Sequence, residues 1–283
     1  MNEERGRFWY DLDPAGYARL LRHNLGITKF PLNLEEICAV LHVALETDDL
    51  GVGVEGCLVK PSTGKPGILI NSSSPYPARQ RFTVAHELGH YAIPWHSAPG
   101  YTCTEADVES YRSTKAAERE ANEFASELLL PAFEVARYLR TDSLRLELVE
   151  EVANTFGVSL TAAAVKMVQE LKHGLCSVVF SRAGKVEWAY PSKRFGAAYR
   201  IRRSNIAPDS YAADLYEGKT IPRGPQKVGP QLWLASKKRC IEELGYVEEE
   251  SVAFPKLCAV LSIITIPENY EDEVEEANWE EDW

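Results

Sequence analysis

An α+β fold is what this chain of 283 residues predicts. Three features carry that expectation. Helical spacing of apolar side chains gives way early to short alternating runs. Two long helical patterns follow, and a strand-rich stretch closes the chain. Residues 14–25 and 33–42 place apolar side chains at helical intervals, with Leu34, Ile37 and Leu41 on one face of the second segment. Val43–Glu46, Gly53–Val59 and Gly67–Ile70 read as strands, the last two separated by turn residues from Pro61 to Gly64. Ala78–Tyr91 reads as a helix ended by Pro94, and residues 97–114, rich in Ser, Thr, Gly and Asp, as a loop. Helical patterning returns at Thr114–Leu130, stops at Pro131 and resumes in three shorter helices as far as Lys172.

The His173-Gly174 step marks a domain boundary, so residues 1–173 are expected to form one domain and 174–266 a smaller mixed one. In the second, Leu175–Phe180, Val186–Tyr190 and Cys258–Ile266 read as strands and Trp233–Leu244 as a helix. Residues 267–283 form an acidic tail. Positions 268–282 hold nine acidic and no basic side chains, so most of the net charge of −11 sits there and the remainder is nearly neutral. The densest basic stretch, Lys193, Arg194, Arg200, Arg202 and Arg203, is one the tail can screen.

Composition excludes several classes. No run of 18 apolar residues is present, and the segment after Met1 lacks the basic start and apolar core of a secretory signal, which predicts a cytoplasmic protein. Six scattered cysteines with no CxxC pair fit neither a disulfide framework nor a zinc ribbon. Leu148–Leu171, inside a helix-turn-helix-like pair at 145–172, offers only Lys166 and Gln169 to nucleic acid, with Glu147, Glu150 and Glu151 just upstream. A helix that reads bases needs more donors, so a structural helix pair is favoured and direct nucleic-acid binding is not expected.

His86-Glu87-Leu88-Gly89-His90 is an HExxH motif on a predicted helix. Two histidines four residues apart project from one face and can grip one Zn²⁺ ion. Glu87, beside that face, is placed to take a proton from the attacking water and pass it to the leaving amine. Phe82, Val84 and Ala85 make one side of the helix apolar, so the histidines belong to a buried element.

A catalytic zinc needs a third protein ligand and one open position. His96 has the spacing of HExxHxxGxxH enzymes, but position 93 is Ile where that turn needs Gly, and Met167 lies in a helical pattern. Glu118 competes with it. At about 100° per residue, Ala117, Ala121, Phe124, Ala125, Leu128 and Leu129 share one apolar arc of the helix. Glu120, Glu123 and Glu127 fall on the opposite side, as expected of a solvated face. Glu118 alone flanks the apolar arc, and a carboxylate aimed into a core needs a cation. Asn122, one turn on, is placed to hydrogen-bond a ligand histidine or to orient Glu118. These residues describe a gluzincin-like metallopeptidase domain with a helical extension. Glu87 is its catalytic base, and His86, His90 and Glu118 are its ligands for a single zinc.

The run Ala78-Arg79-Gln80-Arg81-Phe82-Thr83-Val84-Ala85-His86-Glu87-Leu88-Gly89-His90-Tyr91, followed by Glu118-Arg119-Glu120-Ala121-Asn122-Glu123-Phe124-Ala125-Ser126-Glu127-Leu128-Leu129-Leu130-Pro131, resembles the ImmA/IrrE family of metallo-endopeptidases. Leu130 stands where Met is common, a volume-conserving change. The resemblance covers roughly residues 15–172 and matches Glu118 to the third-ligand glutamate. It implies a protein substrate, a helix-turn-helix (XRE-type) repressor cleaved in trans to release stress or mobile-element genes. The competing expectation is a DNA-binding or repressor-sequestering regulator with a structural zinc. Cys103 can cap the metal in a latent state, Tyr101, Tyr111, His96 and His42 are candidates to hold the oxyanion, and Gly67–Asn71 is a candidate edge strand for a substrate peptide.

Overall fold

A computed structural model of the chain describes residues 12–104, 107, 115–139, 143–235, 241 and 244–267. They divide into two compact units. The first holds residues up to Pro131 together with Ala153–Ser159; the second holds Ala132–Val152 and the chain from Leu160 onward. The acidic tail from 268, Tyr111 and most of the predicted helix Trp233–Leu244 lie outside the described residues. The fold is α+β, and no helix among the described residues is long and apolar enough to cross a membrane.

The first unit opens with α1 (Pro14–Asn24) and α2 (Leu34–Val40), whose first turns are capped by the side chains of Asp13 and Asn33. Strands β1 (Ala44–Asp48), β2 (Val54–Val59) and β3 (Gly67–Asn71) precede the long helix α3 (Pro77–Ala92). Then come β4 (Gly100–Thr104) and α4 (Ala116–Leu129). The four strands lie in the order β1-β3-β2-β4, with β1 parallel to β3 and the other pairs antiparallel.

Two expectations are corrected here. β3 is an interior strand, flanked on both sides, so it offers no edge to a substrate. Residues 100–104, read as loop, form the edge strand β4 instead. Their Gly and Thr content hid a segment whose hydrogen bonds go to β2.

Helix α3 packs on this sheet and against α4. Thr83 to His90 are all buried, which is why the pattern around the HExxH motif is apolar on more than one side. Gly56 in β2 makes room for it, since a Cβ there would stand 2.6 Å from the Thr83 methyl. The core joins Leu58, Ile68 and Ile70 of the sheet to Ala85 and Leu88 of α3 and Phe124, Ala125 and Leu128 of α4. Glu127 departs from the solvated face predicted for it. It is buried, within 4.0 Å of the Arg19 and Arg22 guanidiniums of α1, because α1 packs across that side of α4.

The second unit contains α5 (Ala132–Val135), most of α6 (Leu146–Phe156) and α7 (Leu160–Glu170). A five-stranded antiparallel sheet follows, built from β5 (Cys176–Arg182), β6 (Lys185–Pro191), β7 (Gln226–Val228), β8 (Val247–Phe254) and β9 (Ala259–Thr265) in the order β6-β5-β9-β8-β7. Two short helices, α8 (Lys193–Ala198) and α9 (Tyr211–Tyr216), lie between β6 and β7 in sequence. Within β8, Glu249 is fully buried. It accepts hydrogen bonds from the Trp233 indole at 2.8 Å, the Ser251 hydroxyl at 2.9 Å and the Ala212 amide at 2.7 Å.

Candidate metal centre

Helix α3 supplies His86 and His90 four residues apart, and α4 brings Glu118 to the same point. The His86 and His90 Nε2 atoms are 3.1 Å apart, and Glu118 Oε2 lies 3.1 Å from the first and 3.5 Å from the second. Gly89 sets how closely the helices meet. A Cβ at that position would stand 3.1 Å from the Phe124 ring and 3.2 Å from both the Cα and carbonyl oxygen of Ala121. Glu118 precedes Ala121 by three residues, so the contact at Gly89 holds it within reach of both imidazoles.

The protonation of each ring follows from what lies behind it. Asn122 Nδ2 donates to the Asp107 carbonyl at 2.8 Å, so its Oδ1 faces His86 Nδ1, also at 2.8 Å, and must accept. His86 therefore carries its ring proton on Nδ1 and turns a lone pair at Nε2 toward Glu118. His90 Nδ1 lies 2.9 Å from His96 Nδ1, and the Tyr101 ring stacks on His90 with centroids 3.9 Å apart. Lys60 Nζ donates to the carbonyls of His90 and His96, each at 2.6 Å, and so closes the end of α3.

The His86 Nε2 lone pair and the Glu118 carboxylate thus converge with His90 Nε2, and a cation at that point would satisfy them. A proton is one such cation. Burial opposes charge on His86, yet Glu118 and Glu87 outweigh it and raise its pKa. Burial, together with positive neighbours, takes His90 down to about 4. Burial also works against the Glu118 carboxylate, but its bonds to the two histidines hold it below the usual range.

A divalent metal is the other cation, and the dimensions fit it. A tetrahedral zinc with bonds of about 2.0–2.1 Å separates its ligands by about 3.3–3.4 Å. The edges of 3.1, 3.1 and 3.5 Å bracket that value. Two neutral imidazoles and one carboxylate form the donor set of a zinc that keeps a position for water.

Glu87 is fully buried beside the triangle, and neither of its oxygens accepts a well-formed hydrogen bond. The thiol of Cys103 on β4, a weak donor, meets it, and burial pushes the Glu87 pKa up to about 7. His86, Glu87 and Cys103 form a second set of potential ligands within 4.8 Å of one another. The five cysteines among the described residues are free, and burial raises the Cys103 thiol pKa, with Glu87 adding to it.

The structure therefore brings together His86, Glu87, His90, Glu118 and Asn122. His96 is placed behind His90 rather than at the triangle. His42 is an exposed turn residue with φ 57°. Residues 53–168 match the family model for the IrrE N-terminal-like domain, Peptidase_M78. This segment belongs to the ImmA/IrrE family. A comparison of the chain with curated proteins gives no match. The solved structure of a Mycobacterium tuberculosis transcriptional regulator is similar in fold over 89% of this chain and 76% of that one. Its TM-score is 0.51 at 14% identity, a likeness of fold alone.

The sequence reading missed the groups around the IrrE-like motif. Glu120, assigned to the solvated face, accepts from His96 Nε2 at 2.8 Å and from Trp95 Nε1 at 2.6 Å. Helical periodicity carries no signal for this, since the partners lie 24 and 25 residues earlier in the chain.

Proposed function

We propose that this protein is a zinc-dependent endopeptidase that cleaves a helix-turn-helix (XRE-type) repressor in trans, releasing stress or mobile-element genes. The observation that carries the enzymatic part is the convergence of His86, His90 and Glu118 next to a buried Glu87 with unsatisfied oxygens. The repressor as substrate rests on family resemblance. When bound, zinc would supply Lewis acidity toward the scissile carbonyl and lower the pKa of water.

The chain's own residues do the rest. Glu87, raised to about 7, is matched to accept a proton from the attacking water near neutral pH and to return it to the leaving nitrogen. Asn122 and Tyr101 fix the planes of the two imidazoles. His86, Glu87 and His90 have no exposed surface, which strengthens charge interactions there. It also means that a peptide reaches Glu87 only after its cover moves, a basis for a protease that idles until triggered. Lys166, the main basic side chain of the helix pair, is paired with Glu170 at 3.1 Å, which supports a structural role for α6 and α7.

Co-expression with a panel of XRE-type repressors tests this. Wild type should cut one of them, and Glu87→Gln should keep zinc and leave that repressor whole. Under conditions in which wild type removes a repressor, equal loss of that repressor with Glu87→Gln would refute the enzyme. One observation favours a second reading, a regulator with a closed structural zinc: the Cys103 thiol shares a second set of potential ligands with His86 and Glu87. On that reading Cys103→Ser strips the zinc, Glu87→Gln changes nothing, and the intact repressor is recovered in a stable complex.

A further inference from the structure

We propose that His96 and Glu120 are positioning residues that select the ring tautomer of His90 and so present its Nε2 lone pair to the metal. This deepens the reading of the site as a zinc centre and rests on it.

The Glu120 carboxylate has no hydrogen to give, so the two N–H groups that meet its Oε2 both donate: Trp95 Nε1 at 2.6 Å and His96 Nε2 at 2.8 Å. A neutral His96 with its proton on Nε2 offers a lone pair at Nδ1. That atom is 2.9 Å from His90 Nδ1, and only one proton fits between them. It must belong to His90. With Nδ1 protonated, His90 turns an unprotonated Nε2 toward His86 Nε2 at 3.1 Å and Glu118 Oε2 at 3.5 Å. The opposite tautomer would direct an N–H at the triangle and exclude a cation.

His96 is built to hold this place. Its side chain is almost wholly buried, its amide donates to the Ile93 carbonyl at 3.1 Å, and its own carbonyl accepts from Lys60 Nζ at 2.6 Å. On His86 the same selection takes one step, through Asn122. On His90 it takes two, through an imidazole and then a carboxylate. The six-residue spacing from His90, which resembles a third-ligand histidine, thus serves a residue that stands behind the ligand. Backing groups of this kind raise the basicity of a ligand imidazole and fix its orientation.

The test is the zinc affinity of the full chain, measured by chelator competition, with the absorption spectrum of the cobalt-substituted protein as a second readout of geometry. His96→Phe and Glu120→Ala should each weaken zinc binding by about 10–100-fold and shift the cobalt bands. Glu120→Gln, which keeps a carbonyl oxygen for both N–H groups, should stay near wild type. His90→Ala and Glu118→Ala should lose the metal. Glu120 is partly exposed, so its variants keep the test open if His96→Phe does not fold. Zinc bound as tightly by Glu120→Ala as by wild type, while His90→Ala has lost it, would overturn the relay and leave the site standing. Zinc retained by His90→Ala would overturn the site and the relay with it.

Discussion

Replacing Gly89 by Ala separates the stability of the first unit from its capacity to hold a metal. The new Cβ would stand 3.1 Å from the Phe124 ring and 3.2 Å from two backbone atoms of Ala121. Comfortable carbon contacts begin at about 3.5 Å, so α4 must retreat from α3 by about 0.3–0.4 Å. The ring edge can tilt, but the Ala121 backbone cannot yield without moving the helix. Two terms then oppose each other in stability. Ala gains about 1 kcal/mol over Gly in a helix interior, and overpacking a well-filled contact costs about 1–3 kcal/mol. The net is a loss of about 0–2 kcal/mol, which a folded unit tolerates.

The metal site has less latitude. Ligand distances to zinc hold to about ±0.2 Å, and Glu118 travels with Ala121. Gly89→Ala should therefore lower zinc affinity by about 10–100-fold, the range seen when support for a ligand is lost. Thermal unfolding of the metal-free protein measures the first quantity and chelator competition the second. A Gly89→Ala protein that binds zinc as tightly as wild type would refute the claim that this contact sets the reach of Glu118.

Two further outcomes follow from the rest of the fold. Glu127→Ala should destabilise the first unit by about 1–3 kcal/mol, because it removes the buried carboxylate that Arg19 and Arg22 face. An unchanged denaturation midpoint would mean that the pairing contributes nothing. Glu249 is raised by burial, against the hydrogen bonds from Trp233, Ser251 and Ala212. A carboxyl that holds its proton to higher pH when folded costs nothing below its unfolded value of about 4.3 and costs progressively more as pH rises through the folded one. Relative to Glu249→Gln, wild type should therefore gain stability as pH falls from neutral toward that value. A constant difference across the range, measured by denaturant titration, would contradict the assignment.

The elements that carry the motif were legible because their chemistry is periodic. Apolar spacing fixed α3 and α4, and the single carboxylate on the flank of the apolar arc singled out Glu118 before any contact was known. What escaped was decided by partners distant in sequence. Glu127 sits on the polar side of α4, yet α1 covers it with two guanidiniums. Glu248, Glu249 and Glu250 carry no apolar alternation, yet they lie in β8, where donors from Ala212, Trp233 and Ser251 satisfy Glu249. β4 alternates only Tyr101 and Cys103 with Gly and Thr, too short a signal to mark a strand, and those two side chains meet His90 and Glu87. Glu120 and His96 are joined across 24 residues by a hydrogen bond that no periodicity predicts.

X-ray absorption at the zinc edge of the loaded, full-length protein tests the central claim most directly. The account predicts a nitrogen and oxygen shell at about 2.0–2.2 Å, with two imidazoles and no sulfur. A sulfur scatterer at about 2.3 Å would place Cys103 on the metal, close the position needed for water and contradict a catalytic zinc.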